Sequence, residues 1–65
     1  GETMDVTYYI NGKKVGANYA KARFAAYQSW TIGADPQEIE AMWTQCQQSE
    51  EARDDWLPDN LEIIA

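Results

Sequence analysis

The amino-acid sequence predicts an α+β fold in which a short N-terminal β-hairpin packs on two antiparallel α-helices. Three observations predict it: a β-rich segment with alternating apolar residues, an Asn-Gly pair directly after it, and two later segments with apolar residues at helical spacing. Because the connections are short, residues 4–65 are expected to form one small domain. Residues 1–3, which precede Met4, are interpreted as a remnant of an expression vector.

The hairpin is predicted over residues 6–15. Apolar and polar or aromatic side chains alternate along residues 6–10, which is typical of a strand with one buried face. Asn11-Gly12 follows at once and favours a type I′ turn, because both central residues of that turn need a positive φ. Residues 13–15 then return as the second strand. Since an isolated hairpin is marginally stable in water, this one needs a helix to pack against.

The first helix is predicted over residues 17–30. This segment contains five alanines and neither proline nor glycine, so its helix propensity is high. Its apolar residues cover more than half of the helix circumference, which predicts that the helix is covered on two sides. Gly33 follows as a left-handed helix terminator.

The second helix is predicted over residues 36–55. Asp35 is a suitable N-cap, and Pro36 suits the first helical position. The apolar stripe stops after Cys46, so two alternatives remain for the rest of the segment. We favour one continuous or slightly kinked helix; the alternative is a break near Ser49, which would cap a short third helix ending at 56–57.

Pro58 is expected to end the helical region, and the tail over residues 58–65 is expected either to dock on the core or to fray. The predicted core combines the inward face of the hairpin with one stripe of each helix. It comprises Val6, Tyr8, Ile10, Ala20, Phe24, Tyr27, Ile39, Met42, Trp43 and Cys46, with Val15 at its edge.

Charge is divided unevenly along the 65 residues, whose formal net charge is −6. Residues 1–30 carry two acidic and four basic residues, whereas residues 31–65 carry nine acidic residues and one basic residue, Arg53. Phosphate and anionic membranes would repel the acidic half, which argues against direct nucleic-acid binding and against a membrane surface. The helix–break–helix of residues 17–48 is therefore not interpreted as a DNA-binding helix-turn-helix.

The side chains that catalysis commonly uses are scarce. Cys46 is the only cysteine and the chain has no histidine, so neither a disulfide within the chain nor a zinc site is expected. Cys46 lies on the apolar stripe of the second helix and is interpreted as a buried core residue. No enzymatic activity, no metal and no cofactor is therefore expected.

The acidic segment is the candidate partner-binding surface. Its carboxylates recur four residues apart, and aromatic residues that are hard to bury in so small a core are natural interface anchors. The candidate residues are Glu50, Glu51, Asp54, Asp55, Trp56 and Tyr19. They predict a basic protein surface as partner. A solvated acidic face without function is the alternative, and calcium binding is disfavoured because the segment lacks a loop with a tight glycine turn.

Two further hypotheses about function stay open. The acidic helix could mimic DNA and block a nucleic-acid-binding protein, or the chain could be a structural subunit of a small homo-oligomer. A homodimer would cover Tyr19, Ala22 and Ala26 and place Lys21 or Arg23 against acidic residues of the partner's second helix.

From Met4 onward the chain resembles small early-region accessory proteins of lambdoid bacteriophages. The resemblance is carried by Tyr-Tyr-Ile-Asn-Gly-Lys-Lys at residues 8–14, the alanine-rich helix and the acidic, tryptophan-containing helix. It implies a host-directed or regulatory binding role without catalysis, in the bacterial host cytoplasm. A lone thiol without a recognisable export signal also fits a reducing cytoplasm.

Overall fold

The computed structural model describes residues 6–64, so the interpretation of residues 1–3 lies outside the described part. Its elements, in chain order, are β1 (Thr7–Ile10), β2 (Lys13–Val15), α1 (Ala17–Ile32), α2 (Pro36–Gln48), α3 (Glu50–Trp56) and β3 (Leu61–Ile64). The α+β class predicted from the sequence is confirmed. The sheet has three strands and the helical layer has three helices, one more of each than expected.

The sheet is antiparallel, with the strand order β2-β1-β3. In the predicted hairpin, Asn11 and Gly12 have φ values of 53° and 80°, as a type I′ turn requires. The C-terminal tail does not fray, because residues 61–64 pair with β1 and make it the central strand. A third strand gives the hairpin the support that it lacks in isolation.

Helix α1 extends to Ile32, two residues beyond the predicted end. Gly33 stops it in the left-handed conformation, with φ 64° and ψ 29°, and its N–H donates to the Ser29 carbonyl at 3.2 Å. The buried stripe of α1 differs from the predicted one: Gln28 is buried, whereas Tyr27 is 38% exposed. Placing Tyr27 in the core was therefore wrong, because α1 turns the adjacent position towards α3.

Of the two alternatives for residues 36–55, the break near Ser49 forms, and the favoured continuous or slightly kinked helix does not. Asp35 caps α2 as predicted, accepting a hydrogen bond from the Glu38 N–H at 2.9 Å, but α2 ends at Gln48. Ser49 is extended, with φ −133° and ψ 127°, and its hydroxyl accepts from the Ala52 N–H at 3.4 Å at the start of α3. A serine can either continue a helix or cap the start of the next one, and Ser49 caps α3, so that α2 ends before it.

The core lies between the inner face of the sheet and the three helices. Trp43 is at its centre: its ring stacks on Tyr8 at a centroid distance of 5.5 Å and meets Phe24 at 5.1 Å. Val6 is only partly buried and packs at the margin of the core, as Val15 does. The buried apolar residues are Tyr8, Ile10, Ala20, Phe24, Ala34, Ile39, Met42, Trp43, Cys46, Ala52, Leu61 and Ile63.

Candidate functional site

The four candidate carboxylates of α3 are all exposed. Glu50 and Glu51 form the first turn of the helix, where negative charge is favoured by the helix dipole, and Asp54 and Asp55 form the next turn. Ala52 is the residue that α3 buries in the core. The capped start at Ser49 thus orients a seven-residue helix with its apolar residue inward and its carboxylates in solvent.

Arg53 does not neutralise these carboxylates. Its Nε donates to the Cys46 carbonyl at 2.6 Å and its Nη2 donates to the Gln47 carbonyl at 3.0 Å. Arg53 therefore satisfies backbone carbonyls that the end of α2 leaves free, a position that favours a cation. Arg53 is the one basic residue against nine acidic residues in 31–65, so the half of the chain that carries α3 has an excess of negative charge.

A groove of about 350 Å³ separates α3 from β3. Three carboxylates line it: Glu50 and Asp54 from α3, and Glu62 from β3. The other lining residues are Arg53, Leu57, Pro58, Leu61 and Ile63, so apolar groups lie beside the acidic ones. We call this feature the acidic groove. Of the four candidate carboxylates on α3, Glu50 and Asp54 line this groove, whereas Glu51 and Asp55 do not.

The two aromatic candidates are not part of this groove. Trp56 is half-buried and packs against the core, and its backbone carbonyl accepts a hydrogen bond from Gln28 Nε2 at 2.6 Å. Tyr19 is 55% exposed, but it is nine residues before Gln28 on α1. That separation corresponds to about 13 Å along the helix axis. The structure therefore does not bring Tyr19 to the acidic helix.

A second groove, of about 560 Å³, lies between α1 and the turn before β3. Tyr27, Trp30 and Ala26 line one wall, and residues 58–61 line the other. Trp30 is 85% exposed and was missed as a candidate site residue. The apolar circumference of α1 was the available signal, but it was interpreted as predicting a helix covered on two sides; the exposure of Tyr19 and Trp30 corrects that expectation.

Lys21 forms an ion pair with Glu40 of α2 in the same chain. Within residues 6–64 this is the one ion pair at contact distance. The homodimer hypothesis places Lys21 or Arg23 against acidic residues of the second helix, and in the single chain Lys21 already pairs with Glu40 of its own α2. Arg23 remains exposed at the rim of the second groove.

Cys46 is fully buried, as predicted. Its Sγ lies 3.7 Å from the Ala52 carbonyl. Burial raises the pKa of the Cys46 thiol to about 11, and the neighbouring Arg53 guanidinium opposes this only in part. A thiol in this environment stays protonated at neutral pH, which is the state of a packing residue rather than of a nucleophile.

Across residues 6–64, no group of three or more Cys, Asp or Glu side chains is arranged to hold a metal ion. No helix in that range combines the length and apolar character needed to span a membrane. Comparison with known proteins found no matching family model, no matching curated protein and no matching solved structure.

Proposed function

We propose that this chain is a non-enzymatic, regulatory interaction protein of the cytoplasm, which binds a basic segment of a partner protein in the acidic groove. The acidic groove itself is the observation that supports the proposal. It combines Glu50, Asp54 and Glu62 with apolar contact area from the half-buried Leu57. Charge alone steers association, whereas adjacent apolar surface slows dissociation once the partner is bound.

The electrostatics favour a basic partner over a neutral one. Three carboxylates line the groove against one cation, Arg53, whose guanidinium binds the carbonyls of Cys46 and Gln47 and forms no ion pair with those carboxylates. A lysine or arginine side chain entering the groove would meet these carboxylates at its rim. Such pairs mainly raise the association rate and make it sensitive to salt.

Mimicry of DNA has less support than binding of a protein segment. With seven residues, α3 is only about 10 Å long, which corresponds to a few phosphate positions along a duplex. The carboxylates also lie beside apolar residues, and a surface that replaced a phosphate backbone would not need that apolar contact. Competition by duplex DNA distinguishes the two functions.

Affinity capture from a bacterial lysate tests the proposal. The bait is the wild-type chain, and the comparison bait is the neutralised variant E50Q/E51Q/D54N/D55N, which keeps the helix and its side-chain sizes. We expect the wild type to retain a basic protein that the variant loses, and duplex DNA not to displace it. Equal capture by both baits would refute binding through α3, and displacement by DNA would favour mimicry.

Self-association is a second candidate, and the exposure of α1 favours it. Tyr19 and Trp30 are 55% and 85% exposed, and the small residues Ala22 and Ala26 lie between them on the same side of the helix. In an antiparallel pair of α1 helices, Tyr19 of one copy would face Trp30 of the other. Sedimentation at several concentrations tests this, with A26E expected to abolish a dimer; a strict monomer well above micromolar concentration would refute it.

A further inference from the structure

The free edge of β3 is defined by the hydrogen-bond pattern of the sheet. In an antiparallel pair, opposed residues either exchange both backbone hydrogen bonds or exchange none, in alternation. The Asn11 N–H donates to the Asn60 carbonyl at 2.8 Å, and these residues continue the register that pairs Ile10 with Leu61. The backbone groups of Asn60 therefore point towards β1, and those of the next residue, Leu61, point away from it.

The same alternation determines the direction in which the other backbone groups of β3 point. Glu62 and Ile64 bond towards β1, whereas Leu61 and Ile63 direct their backbone groups to the opposite side. The Leu61 N–H donates a hydrogen bond to the Pro58 carbonyl at 3.0 Å. The Leu61 carbonyl and both backbone groups of Ile63 thus face away from β1, where the sheet order ends.

The acidic groove lies at this edge. Of the described residues, those that line it come from α3, from β3 and from the connection between them. A segment placed in the groove would therefore meet the outward backbone groups of Leu61 and Ile63 along one side. It would meet Glu50 and Asp54 along the other.

We propose that the acidic groove binds an extended segment of a partner protein, rich in Lys or Arg at alternating positions, as a fourth strand beside β3. This inference rests on the proposed function and specifies the mode of binding. Strand addition supplies affinity through main-chain hydrogen bonds and specificity through alternate side chains. Here alternate basic side chains would face Glu50 and Asp54 on the helix side of the sheet, and the intervening ones would lie on its outer face beside Ile64.

The charges of the chain favour a foreign basic strand over a second copy of β3. A second β3 would bring its own Glu62 and α3 carboxylates against the same set, and like charges in opposition are destabilising. The other free edge, β2, carries the exposed Lys13 and Lys14. Head-to-tail pairing of β2 with β3 between copies is therefore the competing occupant.

Amide hydrogen exchange at Ile63 tests the inference. The probe is the blocked hexapeptide Lys-Val-Lys-Val-Lys-Val, and the control is the same peptide N-methylated at every backbone amide, which keeps its charge. At saturation, we expect the probe to slow exchange of the Ile63 N–H by about tenfold or more. We expect the methylated control to bind about tenfold more weakly, since it lacks the donors for strand pairing.

Three outcomes would overturn strand addition. The first is no binding of the probe at millimolar concentration, and the second is equal binding of both peptides with unchanged exchange at Ile63. The third is slowing of Ile63 exchange by protein concentration alone, which would identify β2 of a second copy as the occupant. Failure of the proposed function gives a different result, because the probe would then bind E50Q/D54N as tightly as the wild type.

Discussion

The side chain of Gln28, in the C-terminal third of α1, donates a hydrogen bond from Nε2 to the backbone carbonyl of Trp56, the last residue of α3, at 2.6 Å. Gln28 is 3% exposed and is the one buried polar or charged residue within 6–64. The bond satisfies a carbonyl that a helix end leaves without an intrahelical partner. It therefore fixes the end of α3, and with it one wall of the acidic groove.

Replacement of Gln28 by leucine should destabilise the fold although the side chain is similar in size and apolar. The Trp56 carbonyl would lose its partner, at a cost of about 1–3 kcal/mol in the free energy of unfolding. Urea unfolding measures this cost, with Gln45→Leu on the exposed face of α2 as the control. A Gln28→Leu variant as stable as the control would show that the bond contributes nothing.

Arg53 should matter through its geometry as well as its charge. Its Nε and Nη2 donate to two successive carbonyls, Cys46 and Gln47, from a rigid planar fork that a lysine ammonium on its flexible stem lacks. We expect Arg53→Gln and Arg53→Lys each to lower the free energy of unfolding by about 1–3 kcal/mol. Arg23→Lys is the matched control. Full stability of Arg53→Lys would show that charge alone is sufficient.

The aromatic centre of the core should be sensitive to truncation. Phe24→Ala and Trp43→Ala are each expected to cost about 3–5 kcal/mol, which is enough to unfold a domain of this size. Trp30→Ala removes an equally large side chain that is 85% exposed, so it should leave the thermal midpoint nearly unchanged. A loss of stability in Trp30→Ala comparable to that in Trp43→Ala would contradict the assigned core.

Stability should fall at alkaline pH because of Cys46. Burial raises the thiol pKa from 9.0 to about 11, so the unfolded chain releases this proton at a lower pH than the folded chain does. The contribution is present below pH 9 and is lost as the pH rises towards 11, with a slope of at most about 1.4 kcal/mol per pH unit. Cys46→Ala should lack this component, and parallel stability curves of the two proteins across that window would refute it.

The parts of the fold that sequence analysis predicted correctly depend on short-range signals. Asn11-Gly12 specifies the type I′ turn, Asp35-Pro36 specifies the start of α2, and Gly33 ends α1; each acts through its own backbone geometry. Ser49 shows the limit of such signals. Its residue type permits both a continuing helix and a cap, and Arg53, which binds the carbonyls at the end of α2, favours the cap.

The acidic groove itself could not be predicted, because it depends on pairing between distant segments. The exposed carboxylates of α3 were identified from the sequence. That Glu50 lines the groove and Glu51 does not becomes apparent only when β3 pairs with β1 and brings Glu62 opposite α3. Likewise, the burial of Gln28 instead of Tyr27 depends on which stripe of α1 meets α3. Helical periodicity leaves that choice open.

The central claim is that the acidic groove, and not acidity in general, binds the partner. The most direct measurement is a calorimetric titration of the captured partner into two variants, E50Q/D54N and E51Q/D55N. Both remove two charges from α3, but only the first removes carboxylates that line the groove. We expect about a tenfold or greater loss of affinity for E50Q/D54N and less than about threefold for E51Q/D55N. Equal losses in the two variants would contradict the claim.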